Sequence, residues 1–129
     1  MPGKTRSLSK AVLDAVKNSM VVSIKAGRTP HRVIAVWSVT VEGRAFIRSW
    51  SVRPDGWYRT FRKDPVGELH VGNHKLRIRP VFIQSERTKD LVSKAYAEKY
   101  HTPGSRRYVK DLSGRRSRET TTELVPRKR

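Results

Sequence analysis

The chain has 129 residues, and 29 Lys and Arg stand against 11 Asp and Glu, a formal charge of +18. That length fits one compact domain, expected here over residues 1–129. There is no cysteine, which excludes a disulfide framework, a thiolate metal site and a cysteine nucleophile.

Apolar residues make up 36% of the chain, low for a globular domain but more than a disordered chain carries. The longest apolar run, Val33 to Trp37, is far too short to span a bilayer. The opening Met1-Pro2-Gly3-Lys4 lacks the apolar core of a secretory signal. The expectation is a cytoplasmic protein without membrane contact whose charge draws anions.

Residues 1–6 are polar and basic and are expected to be frayed. Ser7 can cap a helix through about Lys17, with Leu8, Val12, Ala15 and Val16 on one stripe and Asn18 as its stop. Met20 to Ala26 alternate as a half-buried strand does, and Gly27-Arg28-Thr29-Pro30 ends it. Arg32 to Val41 reads as one long strand with Val33, Ala35, Trp37, Val39 and Val41 on one face. Glu42-Gly43 is a tight turn into Arg44 to Trp50, where Phe46 and Trp50 oppose Ala45 and Ile47. Pro54-Asp55-Gly56 is a turn, and Trp57 to Lys63 forms a short helix closed by Asp64-Pro65. Glu68 to Val71 and His74 to Ile83 make a hairpin about Gly72-Asn73. Ser85 caps a helix through about Tyr100 with a stripe of Leu91, Val92, Ala95 and Tyr96. Residues 101–119 read as a basic loop, and Thr120 to Val125 as a strand that needs a sheet to join.

Strands joined by tight turns are antiparallel, and a sheet with few helices must close or be covered to hide its edges. The fold expected is mainly β with peripheral helices: a six-stranded antiparallel split β-barrel.

The histidines are His31, His70, His74 and His101. His70 and His74 have a spacing known from zinc sites. In a hairpin turning at Gly72-Asn73, however, Val71 pairs with His74 and His70 with Lys75, so the two imidazoles face opposite ways. No metal site is expected. There is no G-x-S-x-G elbow and no glycine-rich phosphate loop, and the carboxylates are scattered, so no catalytic residue is singled out.

The charge suggests nucleic acid, bound through Arg106, Arg107, Lys110, Arg115, Arg116 and Arg118. Gly43 to Trp50 faintly resembles the RNP1 pattern of RNA-binding domains, with Arg44 and Ser49 where aromatics would stand. The richest segment is Arg48 to Lys63, which sets Trp50 and Trp57 among Arg48, Arg53, Arg59, Arg62 and Lys63. It runs from a strand end into a helix start, a place that suits an anion. Ser49 and Ser51 can donate to phosphate oxygens, the arginines can grip them, and Trp50 or Trp57 offers a flat surface for a ring. Buried tryptophan is common, so a core role for both competes with that reading.

Four stretches carry a resemblance spanning about Met20 to Pro126: Ala26 to Arg32, Ile47-Arg48-Ser49 with Gly56 to Thr60, Tyr96 to Tyr100, and Thr120 to Arg127. The chain resembles a bacterial domain-of-unknown-function family related to the split barrels that bind flavin or deazaflavin. Those barrels include the deazaflavin-dependent nitroreductases and the pyridoxamine phosphate oxidase-like proteins. The first two stretches look like the lead-in to strand two and the strand-end and helix-start of those reductases. Arg59 and Thr60 stand where the reductases have His and Asn, and Ser51 to Pro54 replace a glycine-rich loop.

The resemblance implies a homodimer with an anionic cofactor, FMN or a deazaflavin coenzyme, near Ser49, Trp57, Tyr58, Arg59 and Arg32. With Arg48, Trp50 and Arg62 these are the candidate cofactor-binding residues. The implied activity is an oxidoreductase in which the cofactor carries the hydride. The alternative is a basic nucleic-acid-binding β-barrel protein without enzymatic activity.

Overall fold

The computed structural model describes residues 7–28, 33–50 and 56–127. The frayed segment expected at residues 1–6, and Arg32, Ser51 and Arg53 of the expected site, lie outside the described residues.

Helix α1, Lys10–Asn18, starts two residues later than expected. Ser9 rather than Ser7 is its cap and accepts from Val12 N at 3.3 Å, while Leu8 just before it is buried. Strand β1, Val22–Ala26, follows with alternating burial. The expected long strand is two: β2, Ile34–Val36, and β3, Ser38–Val41, parted at Trp37. A hairpin with Glu42 at φ 52° and Gly43 at φ 73° leads to β4, Arg44–Ile47. Helix α2, Trp57–Lys63, has the expected bounds. Strands β5, Gly67–Val71, and β6, His74–Phe82, pair in the expected register, Val71 with His74 and His70 with Lys75. At Gly67 a Cβ would stand 2.3 Å from Lys25 O, so the close approach of β1 and α2 demands glycine there.

Helix α3, Glu86–Lys99, is capped by Ser85, which accepts from Thr88 N. Its buried residues are Thr88, Lys89, Val92 and Tyr96, so Val92 and Tyr96 of the expected stripe are buried, Ala95 is half-buried against the same core, and Leu91 is half-buried. Residues 101–119 are not a loop. Helix α4, Pro103–Leu112, and helix α5, Arg115–Arg118, occupy them. Thr102 caps α4, Pro103 takes the first turn where no N–H is needed, and Val109 and Leu112 give it a buried edge. Strand β7, Thr122–Pro126, ends the set.

The strands form one antiparallel sheet in the order β2-β1-β5-β6-β7-β4-β3, seven strands where six were expected. The two outermost strands are consecutive in the chain, so the sheet curls into a nearly closed barrel with peripheral helices. The extra strand arises because one stretch, Ile34 to Val41, pairs with β1 in its first half and with β4 in its second. Ala45, Ile47, Leu69, Ile78 and Leu124 belong to one core with residues of α1 and α2. Phe46, on the opposite face of β4, packs in a second core with Val39, Val92, Tyr96 and Leu112. Phe46 is therefore closed off from any base that an RNP1-like strand would stack. Among the described residues no helix is long and apolar enough to cross a membrane.

Where the stretch changes partner, backbone polar groups lose their ladder, and buried ones must find partners elsewhere. Helix α3 supplies them. Tyr96 Oη donates to Trp37 O at 2.9 Å. Ser38 N donates to Tyr100 Oη at 3.1 Å, and that hydroxyl donates to Met20 O. Lys99 Nζ donates to Ser38 O at 2.7 Å and to Val16 O at 3.0 Å. The Tyr100 ring lies flat on Trp37, 4.0 Å between centroids and 2° between planes. Burial pushes the Tyr100 phenol up to about 12 and the Lys99 ammonium down to about 8.

Tyr100→Phe keeps the stack and removes the hydroxyl, so it should lower unfolding stability by about 1–3 kcal/mol in urea titrations. Lys99 supplies a pH signature. Its folded value lies below its ordinary 10.5, so the folded protein binds fewer protons between about pH 8 and that value. The wild type should therefore gain stability with rising pH across that window relative to Lys99→Met, measured as melting temperatures of both proteins.

Candidate functional site

The residues expected to bind a cofactor are distributed among different surroundings. Arg48 turns inward. It is 3% exposed, and its guanidinium donates to Thr121 Oγ1 at 2.8 Å, Ser93 Oγ at 2.8 Å, Leu112 O at 2.9 Å and Lys89 O at 2.7 Å. These partners are neutral oxygens on α3, the end of α4 and the approach to β7. Leu112 is the last residue of α4, so the cation also meets the negative end of that helix. Burial lowers the Arg48 pKa to about 10, which leaves it charged at neutral pH. Its role in the fold is that of a bracket between elements, and these bonds engage donors that the sequence reading offered to a phosphate.

Ser49 is buried as well. Its N–H donates to Thr120 Oγ1 at 2.8 Å, and its carbonyl accepts from Ser117 Oγ at 2.7 Å. These bonds tie the end of β4 to α5. Thr120 Oγ1 donates in turn to Ser117 O at 2.6 Å. Trp57 is 8% exposed and packs in the first core with its edge against Phe61, so it offers no free face. Trp50 is half exposed and meets Trp37 and Tyr108.

Tyr58, Arg59 and Arg62 do come together, on the outward side of α2. Tyr58 stands between two cavities. The larger, about 600 Å³, is lined by Tyr58, Arg115, Arg116, Glu119 and Thr120. The smaller, about 280 Å³, is lined by Tyr58, Arg59, Arg62 and Lys63. The Arg62 guanidinium lies over the rings of Phe82, at 4.8 Å, and Tyr58, at 6.0 Å. Arg115 and Arg116, assigned from sequence to nucleic acid, thus share a cavity with a residue assigned to the cofactor.

The wall has one carboxylate, Glu119, and its charge is answered from behind. Lys89 Nζ, itself buried, donates to Glu119 Oε1 at 3.0 Å, and this bond is the chief reason the Lys89 pKa is raised. Arg118 is taken up by Glu86 and Asp90, both at 2.7 Å, and these bonds raise its pKa and lower that of Glu86. What lines the cavity is therefore the pair of cations Arg115 and Arg116, the Tyr58 phenol and a carboxylate that Lys89 neutralises. Such a cavity suits an anion joined to a flat ring.

Glu119 and Thr120 were not singled out as site residues. Their signal is the hydroxyl run Thr120-Thr121-Thr122 next to arginines, which tertiary contacts alone connect with Ser49 and Tyr58. His70 Nε2 lies 3.0 Å from Glu68 Oε1. Among the described residues no group of three His, Cys, Asp or Glu could hold a metal ion. Arg106, Arg107 and Lys110 are exposed on α4.

Comparison with known proteins agrees with this architecture. Residues 11–124 match a family described as "Uncharacterized protein conserved in bacteria (DUF2255)". No curated protein matches. The conserved hypothetical protein Rv2991 from Mycobacterium tuberculosis has a similar structure, with TM-score 0.62 and 15% identity over 97% of this chain and 86% of that one. HutZ, described as the heme storage protein from Vibrio cholerae, is similar with TM-score 0.60 and 9% identity over 95% of this chain and 92% of that one. At such identities the likeness is one of fold.

Arg48→Met removes the bracket and leaves the Leu112 carbonyl, at the end of α4, without its donor. It should cost about 2–4 kcal/mol of stability. The check is the urea midpoint, with Arg48→Lys recovering only part because a single ammonium lacks the guanidinium's fork.

Proposed function

We propose that this chain, which belongs to the bacterial family DUF2255, binds a phosphorylated aromatic cofactor, FMN or a deazaflavin coenzyme, in the cavity beside Tyr58. The observation that carries the reading is the pairing of Arg115 and Arg116 with the Tyr58 ring around about 600 Å³ of space. That volume is in the range of small-molecule sites. Guanidinium groups take phosphate oxygens in forked pairs, and the phenol ring lies within reach of a flat ligand. Arg59 and Arg62, on the neighbouring cavity, extend the same positive field.

The heme named for HutZ suggests the fold's capacity for large planar ligands. Heme itself asks for an axial imidazole, thiolate, thioether or phenolate. Of these the lining offers the Tyr58 phenol among the described residues, and the paired arginines beside it suit the phosphate of an organic ring. When bound, a flavin or deazaflavin supplies hydride transfer, and the residues of this chain hold its phosphate and orient its ring. The absence of any acid–base constellation in the sequence accords with an oxidoreductase of this kind. A homodimer belongs to the same reading.

Titration of the purified protein with FMN, and separately with a deazaflavin coenzyme, should show saturable binding of one of them by absorbance and fluorescence. Arg115→Ala with Arg116→Ala should weaken it roughly tenfold or more, as expected for lost charge-assisted bonds. Arg59→Ala should weaken it less. Unchanged affinity in the double variant, or no binding of either compound, would remove the cavity from consideration as a cofactor site.

A further inference from the structure

A second face joins rings and cations, away from the lining of the Tyr58 cavities. Trp50 is 50% exposed and Tyr108 41%, unusual for large aromatic side chains. Their rings meet edge to face, 4.9 Å between centroids and 88° between planes. Both touch Trp37, at 6.2 and 6.0 Å. Trp37 is stacked on Tyr100, whose hydroxyl is fixed at the barrel seam. The exposed rings therefore rest on an ordered column and present fixed surfaces.

Tyr108 belongs to α4, and α4 turns Val109 and Leu112 inward while Arg106, Arg107 and Lys110 face solvent. One carboxylate, Asp111, accompanies these three cations on the helix. Neither the rings nor these cations are used by the cofactor cavity.

We propose that Trp50 and Tyr108 form a base-stacking platform for single-stranded nucleic acid, whose phosphates are taken by Arg106, Arg107 and Lys110. Every base has a flat face, and aromatic side chains beside a basic track are what a single strand needs. A duplex keeps its bases stacked on one another and offers the rings nothing. A second copy of the chain is a poorer occupant, because the patch is flanked by cations on a molecule of charge +18 and self-association would bring like charges together. A polyanion gains from the same charges through counterion release. This inference does not rest on the cofactor reading, since it concerns different residues.

The test uses a 20-nucleotide oligothymidylate and a duplex of equal length, with tryptophan fluorescence and anisotropy as readouts and sedimentation as the control of oligomeric state. Quenched fluorescence and tighter binding of the single strand are expected. Trp50→Ala or Tyr108→Ala should each lose roughly tenfold in affinity, with Trp50→Phe recovering part. Changing Arg106, Arg107 and Lys110 together to alanine should lower the slope of log affinity against log salt by about 2. Circular dichroism confirms that each variant is folded. Equal binding of duplex and single strand, or undiminished affinity in folded Trp50→Ala and Tyr108→Ala, would overturn the proposal. So would an oligomer that these substitutions dissociate, because the patch would then be an interface between copies.

Discussion

Everything in this molecule depends on how the barrel is closed at one place, the break between β2 and β3. A single stretch of chain leaves one edge of the sheet and joins the other, and at the crossing its carbonyls and amide groups have no neighbouring strand. Left bare in a buried position, they would each cost more than an ordinary hydrogen bond contributes. Tyr96, Lys99 and Tyr100, spaced along the last turn of α3, satisfy Trp37, Ser38, Val16 and Met20 together. One helical face thereby joins α1, the lead into β1 and the start of β3. Its aromatic rings also set the position of Trp37, on which Trp50 and Tyr108 lean.

Arg48 plays the corresponding part on the other flank. A buried guanidinium without a carboxylate beside it is tolerable because its donors find oxygens already fixed by helices α3 and α4. Through Thr121 it also sets the approach to β7. The cavity next to Tyr58 is bounded by Thr120, one residue away, and by the arginines of α5. The site is thus placed by a cation that is not on its wall. A charge in the interior and charges on the surface do different work here, although composition counts them alike.

The sequence was legible where one element decides its own conformation. Ser85 before α3, the Gly72-Asn73 turn and the bounds of α2 follow from local chemistry, and the alternation of β1 follows from period. The closed sheet was legible because the strands were too many to leave with open edges. Two features escaped. Nothing local in Ile34 to Val41 shows that its halves pair with different strands, since both halves are rich in β-branched residues. In residues 103–118 the charge obscured two helices, yet Thr102 and Pro103 form a helix start and Val109 and Leu112 an apolar edge. At the site, Trp57 and Arg48 have the side chains a ligand would want, and burial, which the sequence does not display, commits them to the interior. Tyr58, one residue from Trp57, is only half-buried and lines the cavity.

The position of β7 bears on how the chain reaches this state. It is the last strand of the described residues, yet it lies inside the sheet, between β6 and β4, bonded on both sides. Until it arrives, two interior strands present unpaired edges, with Phe46 and Ile78 beside them. A chain emerging from the ribosome must therefore be made through Pro126 before the sheet can knit together. During that interval the open edges are templates for pairing with other chains. The high positive charge repels copies of the same chain over those moments, so it guards the unfinished sheet as well as the finished molecule.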